Sequence, residues 1–427
     1  MINKDLINEQ NRKLKGQVEE DYSELGNRLS RRGIDIDEIM QRTSRFSLAI
    51  PSWGVGTGGT RFGRFPNVGE PRNIFEKLDD CAVINQLSAV TPRVSLHIPW
   101  DKTDDILALK QAGKERNLGF DAINSNTFED QPGQIHSYKF GSLSHTSKET
   151  RQQAIEHNIE CIEIGEAIGS KALTVWIGDG SNFPGQQNFS RAFEHYLDSL
   201  RQIYVTLPED WRIFIEHKLY EPAFYSTVMQ DWGSNFLAVS HLGDKAYSLV
   251  DLGHHAPGTN IEMIVARLLQ ADKLGGFHFN DSKYGDDDLD SGSINPFLLF
   301  LIFNEILDVT VYQDKVLDLS YMIDQSHNVT DPIESIICSA IEIQRSYVQA
   351  LLIDRNALVT YQEENDAISS LNELKKAFRT DVDPILSMNR LKNGAAIEPI
   401  SVYRSVSYRK HMDKKRPQNL RTSGGIV

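Results

Sequence analysis

Eight short segments rich in apolar and β-branched residues recur along this chain, and most of the sequence between them has helical periodicity. Regular alternation of strands and helices favours βα units around a parallel sheet. Eight units is the number found in a (β/α)₈ TIM barrel, whereas a doubly wound sheet usually needs fewer strands. We therefore predict an α/β fold, a TIM barrel. The eight segments are Phe46–Trp53, Arg93–Trp100, Gly119–Asn126, Lys171–Ile177, Trp211–Lys218, Tyr247–His254, Gly276–Asp281 and Leu319–His327.

The sequence between the segments contains helices with recognisable ends. Ser147–Gly169 carries apolar residues at helical spacing, between a serine suited to capping and a terminal glycine. Thr259–Leu274 has the same periodicity. These two helices support the βα interpretation of the chain.

Helical patterns also extend beyond the eight segments at both ends. Met1–Arg31 reads as a helical arm, and Asp331–Arg355 and Glu364–Leu391 read as long helices. We predict three parts: an N-terminal helical arm at residues 1–45, the barrel at 46–355, and a C-terminal helical extension and tail at 356–427. The basic stretch from Tyr403 to Val427 is interpreted as a mobile or subunit-contacting tail.

The charge balance narrows the classes of partner. The formal net charge of the 427-residue chain is −14, which disfavours binding to nucleic acid or to a membrane surface, because both need a cationic face. The three scattered cysteines form no disulfide framework. Met1–Glu20 is polar, unlike a signal peptide, and no apolar run reaches membrane-spanning length. We expect a cytoplasmic protein without nucleic-acid or membrane partners.

Carboxylates and imidazoles cluster at the carboxyl ends of the last four segments. Active sites of barrel enzymes lie at this rim, so four successive strands delivering such groups form a specific signal. The groups, with one lysine, are Glu216 and Lys218 on the fifth segment, Asp251 and His254 on the sixth, His278 on the seventh and Asp324 on the eighth. Any one histidine can be a core residue, and any one aspartate a helix cap. Several unpaired carboxylates on adjacent strands, however, need pairing or a metal ion.

Oxygen and imidazole donors without thiolates suit Mn²⁺, Mg²⁺ or Co²⁺, and Zn²⁺ is possible. An acidic loop after the seventh segment adds Asp286 and Asp288, although such loops are more often solvated turns. We predict two ions per subunit. The first would be held by Glu216, Asp251, His278 and Asp324, and the second by His254, Asp286 and Asp288, with Glu216 bridging.

Aromatic residues end three of the earlier segments. Trp53, Trp100 and Trp176 could line a pocket for the apolar C–H faces of a sugar, with His97 as a polar anchor. Ordinary packing is an equal alternative for each ring. The loop that follows Trp53 contains Phe62, a candidate apolar lid. This loop fits a GxGxxG pattern, but it does not open a helix, so we predict no dinucleotide cofactor.

Six long runs resemble one enzyme family over nearly the whole chain and in the same order. They are similar to the L-rhamnose isomerases, in particular to the broad-specificity bacterial branch. The runs are Pro51–Phe62, Val94–Lys102, Ala172–Gly185, Asp251–Pro257, Gly276–Asp288 and Met322–Pro332.

The resemblance implies a xylose-isomerase-like barrel, a cytoplasmic homotetramer and Mn²⁺ as the preferred metal. The ligand positions that it implies are the two sets already given. Trp53, His97, Trp176 and Lys218 match sugar-contacting positions, and Phe62 matches a loop residue that reaches a neighbouring subunit's site.

The expected activity is metal-dependent interconversion of L-rhamnose and L-rhamnulose, with other aldoses such as D-allose as further substrates. Asp324, Lys218 and His254 are the candidate catalytic residues: Asp324 for the hydroxyl proton, Lys218 for developing negative charge, and His254 on the catalytic ion. A direct hydride shift and an ene-diol route both remain open. The lack of an obvious second glutamate at the rim favours the hydride shift.

Three other functions compete with this expectation. A ketose 3-epimerase on the same fold typically uses two glutamates, whereas the eighth segment here offers Asp324. A metal-dependent hydrolase such as a barrel endonuclease is disfavoured by the acidic charge. A non-catalytic sugar-binding protein would be expected to have lost ligands, and none is lost.

Overall fold

The computed structural model describes residues 1–59, 64–221, 225–326 and 329–416. Its centre is a closed barrel of eight parallel strands, which confirms the predicted fold class. The strands follow chain order around the barrel, and β1 closes the ring by pairing with both β2 and β8. The strands are β1 (Ala49–Pro51), β2 (Arg93–Ile98), β3 (Gly119–Ser125), β4 (Ala172–Val175), β5 (Arg212–Glu216), β6 (Ala246–Asp251), β7 (Leu274–Phe279) and β8 (Ser320–Ile323).

Helices surround the strands and extend the chain at both ends. One helix of the series α3 to α10 follows each barrel strand. The helices are α1 (Lys4–Ser30), α2 (Ile36–Arg45), α3 (Ile74–Ser88), α4 (Ile106–Glu115), α5 (Lys148–Ile168), α6 (Phe189–Tyr204), α7 (Trp232–Leu242), α8 (Ile261–Gln270), α9 (Pro296–Leu307), α10 (Pro332–Leu351), α11 (Arg355–Glu363), α12 (Ala367–Phe378), α13 (Asp383–Lys392), α14 (Pro399–Ser405) and α15 (Tyr408–Lys415).

The ends of α5 agree with the residues that predicted them. The Ser147 hydroxyl accepts from the Thr150 N–H at 3.2 Å, which satisfies one of the free donors of the first turn. Gly169 ends the helix with φ +95°, a conformation that glycine adopts without a steric penalty. Local capping chemistry therefore sets the limits of this helix.

The interior of the barrel is apolar below the rim. Six strand side chains form a small core cluster of their own, separate from the larger core between strands and helices. They are Ala49, Ala122, Ala172, Phe214, Leu249 and Met322. Side chains two positions apart point to the same face of a strand. The carboxylates of Glu216, Asp251 and Asp324 therefore point to the barrel interior, two positions after Phe214, Leu249 and Met322 of this cluster. Because side chains alternate between the two faces of each strand, the polar groups lie at the rim and the apolar cluster lies below them.

The two ends of the chain meet on the outside of the barrel. Asn11 of α1 donates to the Ala395 carbonyl at 2.7 Å and accepts from the Ile397 N–H at 2.9 Å. Both contacts are buried, so the N-terminal helix is fixed to the C-terminal extension. The three-part division of the chain stays a prediction.

The C-terminal region differs from the sequence prediction in two respects. The single helix expected over Glu364–Leu391 is two helices, α12 and α13, because Pro384 has no N–H to donate and fits only in the first turn of α13. The mobile alternative for the segment after Tyr403 is wrong as far as Arg416. The chain is helical there, and the Arg416 side chain is only 3% exposed.

Within the described ranges, no single helix is both long and apolar enough to cross a membrane. The pair α10 and α11 meets the length and composition requirements together, with a bend of 68° between the two helices.

Candidate metal centre

Four of the predicted ligands lie together at the carboxyl end of the barrel. Glu216, Asp251, His278 and Asp324 each offer one ligand atom, and these atoms all lie within 4.8 Å of one another. His278 Nδ1 lies 3.1 Å from a Glu216 oxygen, 3.4 Å from Asp324 Oδ2 and 3.8 Å from Asp251 Oδ2. Three strand ends and the loop after β8 supply these side chains. Their arrangement can hold a metal ion.

A second group adjoins the first. Asp251, His254 and Asp286 also offer ligand atoms within 4.8 Å of one another, so Asp251 belongs to both groups. His254 Nε2 lies 3.4 Å from Asp286 Oδ1, and its Nδ1 lies 3.2 Å from Glu216 Oε1. The sequence analysis assigned the bridging position to Glu216 alone. In the structure, Glu216 and Asp251 both lie between the two histidines.

Asp288 is outside this second group of three. Its Oδ2 accepts from the Ser326 hydroxyl at 3.2 Å, and its backbone has φ +49°, in the left-handed region. Burial and the neighbouring Asp286 raise the pKa of Asp288 well above its ordinary value. The role of Asp288 as a metal ligand stays a prediction.

The electrostatics of the groups favour a bound cation. Burial, with Glu216 and Asp324 nearby, raises the pKa of Asp251 to about 7 despite the two histidines. Burial opposes ionisation of Glu216, yet His278 and His254 hold its pKa below the ordinary value. Burial lowers the pKa of His278, but Glu216 and the aspartates raise it to about 9. The first group has three carboxyl groups and one imidazole, and a divalent ion with oxygen and nitrogen ligands fits this set.

Lys218 lies between the metal groups and the aromatic part of the rim. Its Nζ is 2.6 Å from Asp286 Oδ2 and 4.8 Å from the centroid of the Trp176 ring. The side chain is almost fully buried, so the pairing with Asp286 compensates its charge. A buried ammonium at this position can stabilise negative charge on a bound oxygen.

Aromatic rings line the opposite side of the rim. His97 stacks on Trp100 with ring centroids 4.0 Å apart, and Trp53 packs edge-on against His97 at 5.4 Å. Phe128 joins the two ends of this wall, at 5.7 Å from His97 and 4.5 Å from Trp176. Phe128 was not predicted from the sequence. It lies in the loop just after β3, as Trp53, Trp100 and Trp176 lie just after β1, β2 and β4.

Two observations define the polar character of the wall. Burial, and then the charges of His157 and Lys77, lower the pKa of His97 to about 3, so its imidazole is neutral near pH 7. Trp53 Nε1 donates to Asp324 Oδ1 at 2.8 Å. This bond joins the aromatic wall directly to the first metal group. Phe62, the predicted lid residue, lies outside the described residues.

Asn280 fixes the carboxylate that the two metal groups share. Its Nδ2 lies 2.9 Å from Asp251 Oδ1 and 3.1 Å from Oδ2, and the Gly253 N–H donates to Oδ1 at 2.7 Å. A Cβ on Gly253 would lie 2.9 Å from Asn280 Oδ1, so the position favours glycine. The strand pattern predicts that Asn280 shares a face with His278. It does not predict the contact between Asn280 and Asp251.

Asp101 has a similar positioning role beneath the aromatic wall. It accepts from the Ser52 hydroxyl, from the His97 N–H at 2.8 Å and from Lys77 Nζ at 2.8 Å. Ser52 precedes Trp53, so one buried carboxylate sets the positions of two rings of the wall. The sequence pattern does not mark Asp101 for this role, since Ser52 and Lys77 are distant from it along the chain.

Comparisons with known proteins agree with this barrel. The family model described as Xylose isomerase-like TIM barrel matches residues 88–297. A probable sugar isomerase of Rhizobium meliloti (strain 1021) is 62% identical over 427 residues, which cover 100% of this chain and 99% of that protein. The chain belongs to this sugar isomerase family. A second member, a probable sugar isomerase of Mesorhizobium japonicum, is 61% identical over the same span, 100% of this chain and 99% of that protein.

Solved structures share the fold of this chain at low sequence identity. An L-ribulose 3-epimerase superposes with a TM-score of 0.51 at 12% identity, covering 75% of this chain and 98% of that chain. A D-allulose 3-epimerase from Methylomonas sp. gives 0.50 at 10% identity, covering 71% and 98%. These likenesses show the barrel alone. The family membership confirms the coarser functional prediction, a sugar isomerase or epimerase barrel.

Proposed function

We propose that this sugar isomerase is a metal-dependent aldose–ketose isomerase. It interconverts L-rhamnose and L-rhamnulose and accepts other aldoses such as D-allose. The observation that carries the proposal is the group of Glu216, Asp251, His278 and Asp324, whose ligand atoms lie within 4.8 Å of one another and face an aromatic wall. A hard ion site beside apolar rings suits an open-chain sugar, which offers both hydroxyl oxygens and C–H faces.

Mn²⁺ is the proposed metal, with Co²⁺ or Mg²⁺ as substitutes, because all the ligands are oxygen or imidazole nitrogen. The first group would hold one ion. His254, Asp286 and Asp288 would hold the second, with Glu216 and Asp251 shared between the two sets. When bound, the ions supply Lewis-acid polarisation of the sugar oxygens at C1 and C2.

The side chains around the ions have separable roles. The Trp53 N–H donates to Asp324 Oδ1 and orients the carboxylate, which is the proposed acceptor for the proton of a sugar hydroxyl, directly or through a water molecule. Lys218 is positioned to stabilise negative charge that develops on a sugar oxygen. Trp53, His97 and Trp176 cover the apolar face of the sugar and exclude water from the reacting carbons.

The hydrogen that moves between C1 and C2 distinguishes two routes. A direct hydride shift keeps this hydrogen out of solvent, whereas an ene-diol route places it on a base that exchanges with water. We expect little incorporation of solvent deuterium at the transferred position during turnover in D₂O, measured by mass spectrometry and proton NMR. Near-complete labelling would instead assign a carbon base, with Asp324 as the nearest candidate.

A product assay tests the proposal. Purified protein with Mn²⁺ should convert L-rhamnose to L-rhamnulose, and D-allose more slowly, as followed by chromatography of the sugars. Asp324→Asn should lose nearly all turnover even with metal bound, because an amide cannot accept the proton. Conversion of a ketose only to its C3 epimer would replace the proposal with epimerase activity. Hydrolysis products, or no product from any sugar in the panel, would refute it.

The resemblance also leads us to propose a cytoplasmic homotetramer in which the loop that includes Phe62 reaches a neighbouring site. Light scattering after size-exclusion chromatography should give a mass four times that of one chain. The mass of a single chain in a fully active preparation would contradict this assembly.

A further inference from the structure

The last described residues of the chain carry charges into the core. Tyr408–Arg416, which we call the C-terminal segment, comprises α15 and the residue after it. Asp80 of α3 is fully buried and accepts from the Tyr408 hydroxyl at 2.8 Å, from Arg409 at 2.9 Å and from Arg416 at 2.9 Å. Buried carboxylates tolerate loss of a partner poorly, so this segment is firmly docked.

The same segment contacts the loop that follows β1. Arg416 donates to the Gly69 carbonyl at 3.1 Å and to the Glu76 carbonyl at 2.9 Å. Gly69 has φ +64°, and a Cβ there would lie 2.5 Å from the Arg409 carbonyl oxygen and 2.7 Å from the Asp413 nitrogen. The backbones of the loop and of α15 are therefore in direct contact, at a position that only glycine fits.

The segment also reaches the end of the loop that follows β8. Arg409 Nε and the Tyr403 hydroxyl both donate to Asp331 Oδ2 at 3.0 Å. The other oxygen of Asp331 caps α10 by accepting from the Ile333 N–H at 2.9 Å. This loop begins at Asp324 of the first metal group, so one arginine holds its far end.

Short links continue from these contacts to the site. Glu70, next to Gly69, accepts from the Thr57 hydroxyl at 2.9 Å, and Thr57 closely follows the turn that carries Trp53. Lys77, on α3 with Asp80, pairs with Asp101 beneath the aromatic wall at 2.8 Å. The loops after β1 and β8 are thus joined at the site by the Trp53–Asp324 bond and at their far ends by the C-terminal segment.

We propose that the C-terminal segment fixes the two loops and that Arg409 and Arg416 are positioning residues for Trp53 and Asp324. The expected effect on kcat rests on the proposed isomerase function, whereas the expected effect on the order of the two loops does not. Arginine suits both positions because one guanidinium contacts several acceptors at fixed angles, which a lysine ammonium cannot do.

Hydrogen exchange of the full-length protein, measured by mass spectrometry, tests the structural consequence. In Arg416→Lys, amides of residues 64–73 should exchange about tenfold faster, which corresponds to loss of one buried charged hydrogen bond, while the barrel strands keep their protection. Arg409→Lys should have the same local effect near Asp331. Arg404→Gln is the matched control, because Arg404 is 69% exposed and pairs only with Glu334 among the described residues.

Gly69→Ala tests the contact from the loop side, without removing a charge, if the arginine variants fold poorly. It should accelerate exchange in residues 64–73 in the same way. Unchanged loop exchange in all three variants would overturn the proposal. So would equal acceleration throughout the barrel strands, which is the result expected if the segment only stabilises the fold.

Kinetics then connect the loops with the site. We expect kcat for L-rhamnose to fall several-fold in Arg416→Lys and Arg409→Lys but not in Arg404→Gln. Elemental analysis should show that all three variants bind as much metal as the wild-type protein. Unchanged kcat in variants whose loops exchange faster would show that the loops do not position the site. If the wild-type protein converts no sugar, the proposed function fails, and the exchange results still decide whether the segment fixes the loops.

Discussion

The two halves of the barrel rim are built differently. From β5 to β8, the rim presents Glu216, Asp251, His278 and Asp324, whose pKa values are shifted by burial and by one another. From β1 to β4, it presents aromatic rings packed against one another, with a neutral His97. The charged half therefore gathers carboxylates that a cation could neutralise, whereas the rings of the aromatic half pack against one another.

The difference implies two kinds of sensitivity. Changes in the charged half should act on ion binding, stability and turnover together, because each carboxylate is a charge that needs compensation. Changes in the aromatic half should act on sugar binding or alignment and leave the ions in place. The Trp53–Asp324 hydrogen bond is the direct contact where the two kinds of sensitivity should meet.

The largest expected effect is that of removing the metal. Chelation should abolish activity and lower the melting temperature, and Mn²⁺ should restore both. A ligand present at about 1,000 times its dissociation constant stabilises a folded protein by roughly 4 kcal/mol, which is easily measured by differential scanning calorimetry. Full activity in excess chelator would remove the distinction between the two halves.

The next effect in size separates the two metal groups. Asp251 belongs to both groups, so Asp251→Asn should lose activity, bound metal and melting temperature together. His254 belongs to the second group alone, so His254→Ala should lose turnover with a smaller loss of melting temperature. Asp286→Ala should also lose turnover, but it removes the partner of buried Lys218 as well, so its melting temperature does not test the division. Equal melting losses in Asp251→Asn and His254→Ala, measured with bound metal quantified, would contradict the division.

The strand pattern was enough to predict that Glu216, Asp251, His278 and Asp324 lie together at the rim. Residues two apart on a strand share a face, and parallel strands end at one rim, so Phe214 below Glu216 and Leu249 below Asp251 follow from local pattern alone. The predicted strands ran too far, however. Trp53, Lys218, His254 and Asp324 all lie just after a strand, because the backbone turns away where the polar residues begin.

Contacts between distant residues were out of reach of the sequence pattern. Asp101 touching Ser52, Asn280 touching Asp251 and Arg416 touching Asp80 depend on how loops and helices dock, and no local periodicity encodes that. The basic C-terminal segment illustrates the point. Its sequence suggested a mobile or subunit-contacting tail, but Arg409 and Arg416 neutralise the buried carboxylate of Asp80, which lies more than 300 residues away on α3.

A smaller effect is expected at the contact between the halves. Trp53→Phe keeps an aromatic ring but removes the N–H that donates to Asp324, so we expect kcat to fall about tenfold with metal content unchanged. Trp100→Phe is the matched control, because it removes an N–H that donates at 2.9 Å to Glu129 instead. Equal losses in the two variants would mean that the ring, and not the bond to Asp324, is what matters.

The smallest effect should come from the aromatic wall alone. Phe128 fills the space between His97 and Trp176 without touching a predicted ligand. Aromatic contacts contribute about 0.5–1.5 kcal/mol beyond area burial, so Phe128→Leu should raise KM for the sugar by roughly 3- to 10-fold. Because this contact is the same in ground state and transition state, kcat should stay unchanged.

Phe140→Leu, on the same loop but with its side chain 73% exposed, should change neither constant. A fall in kcat or in bound metal in Phe128→Leu would show that the wall also orders the charged half, and the two halves would then have to be treated as one unit.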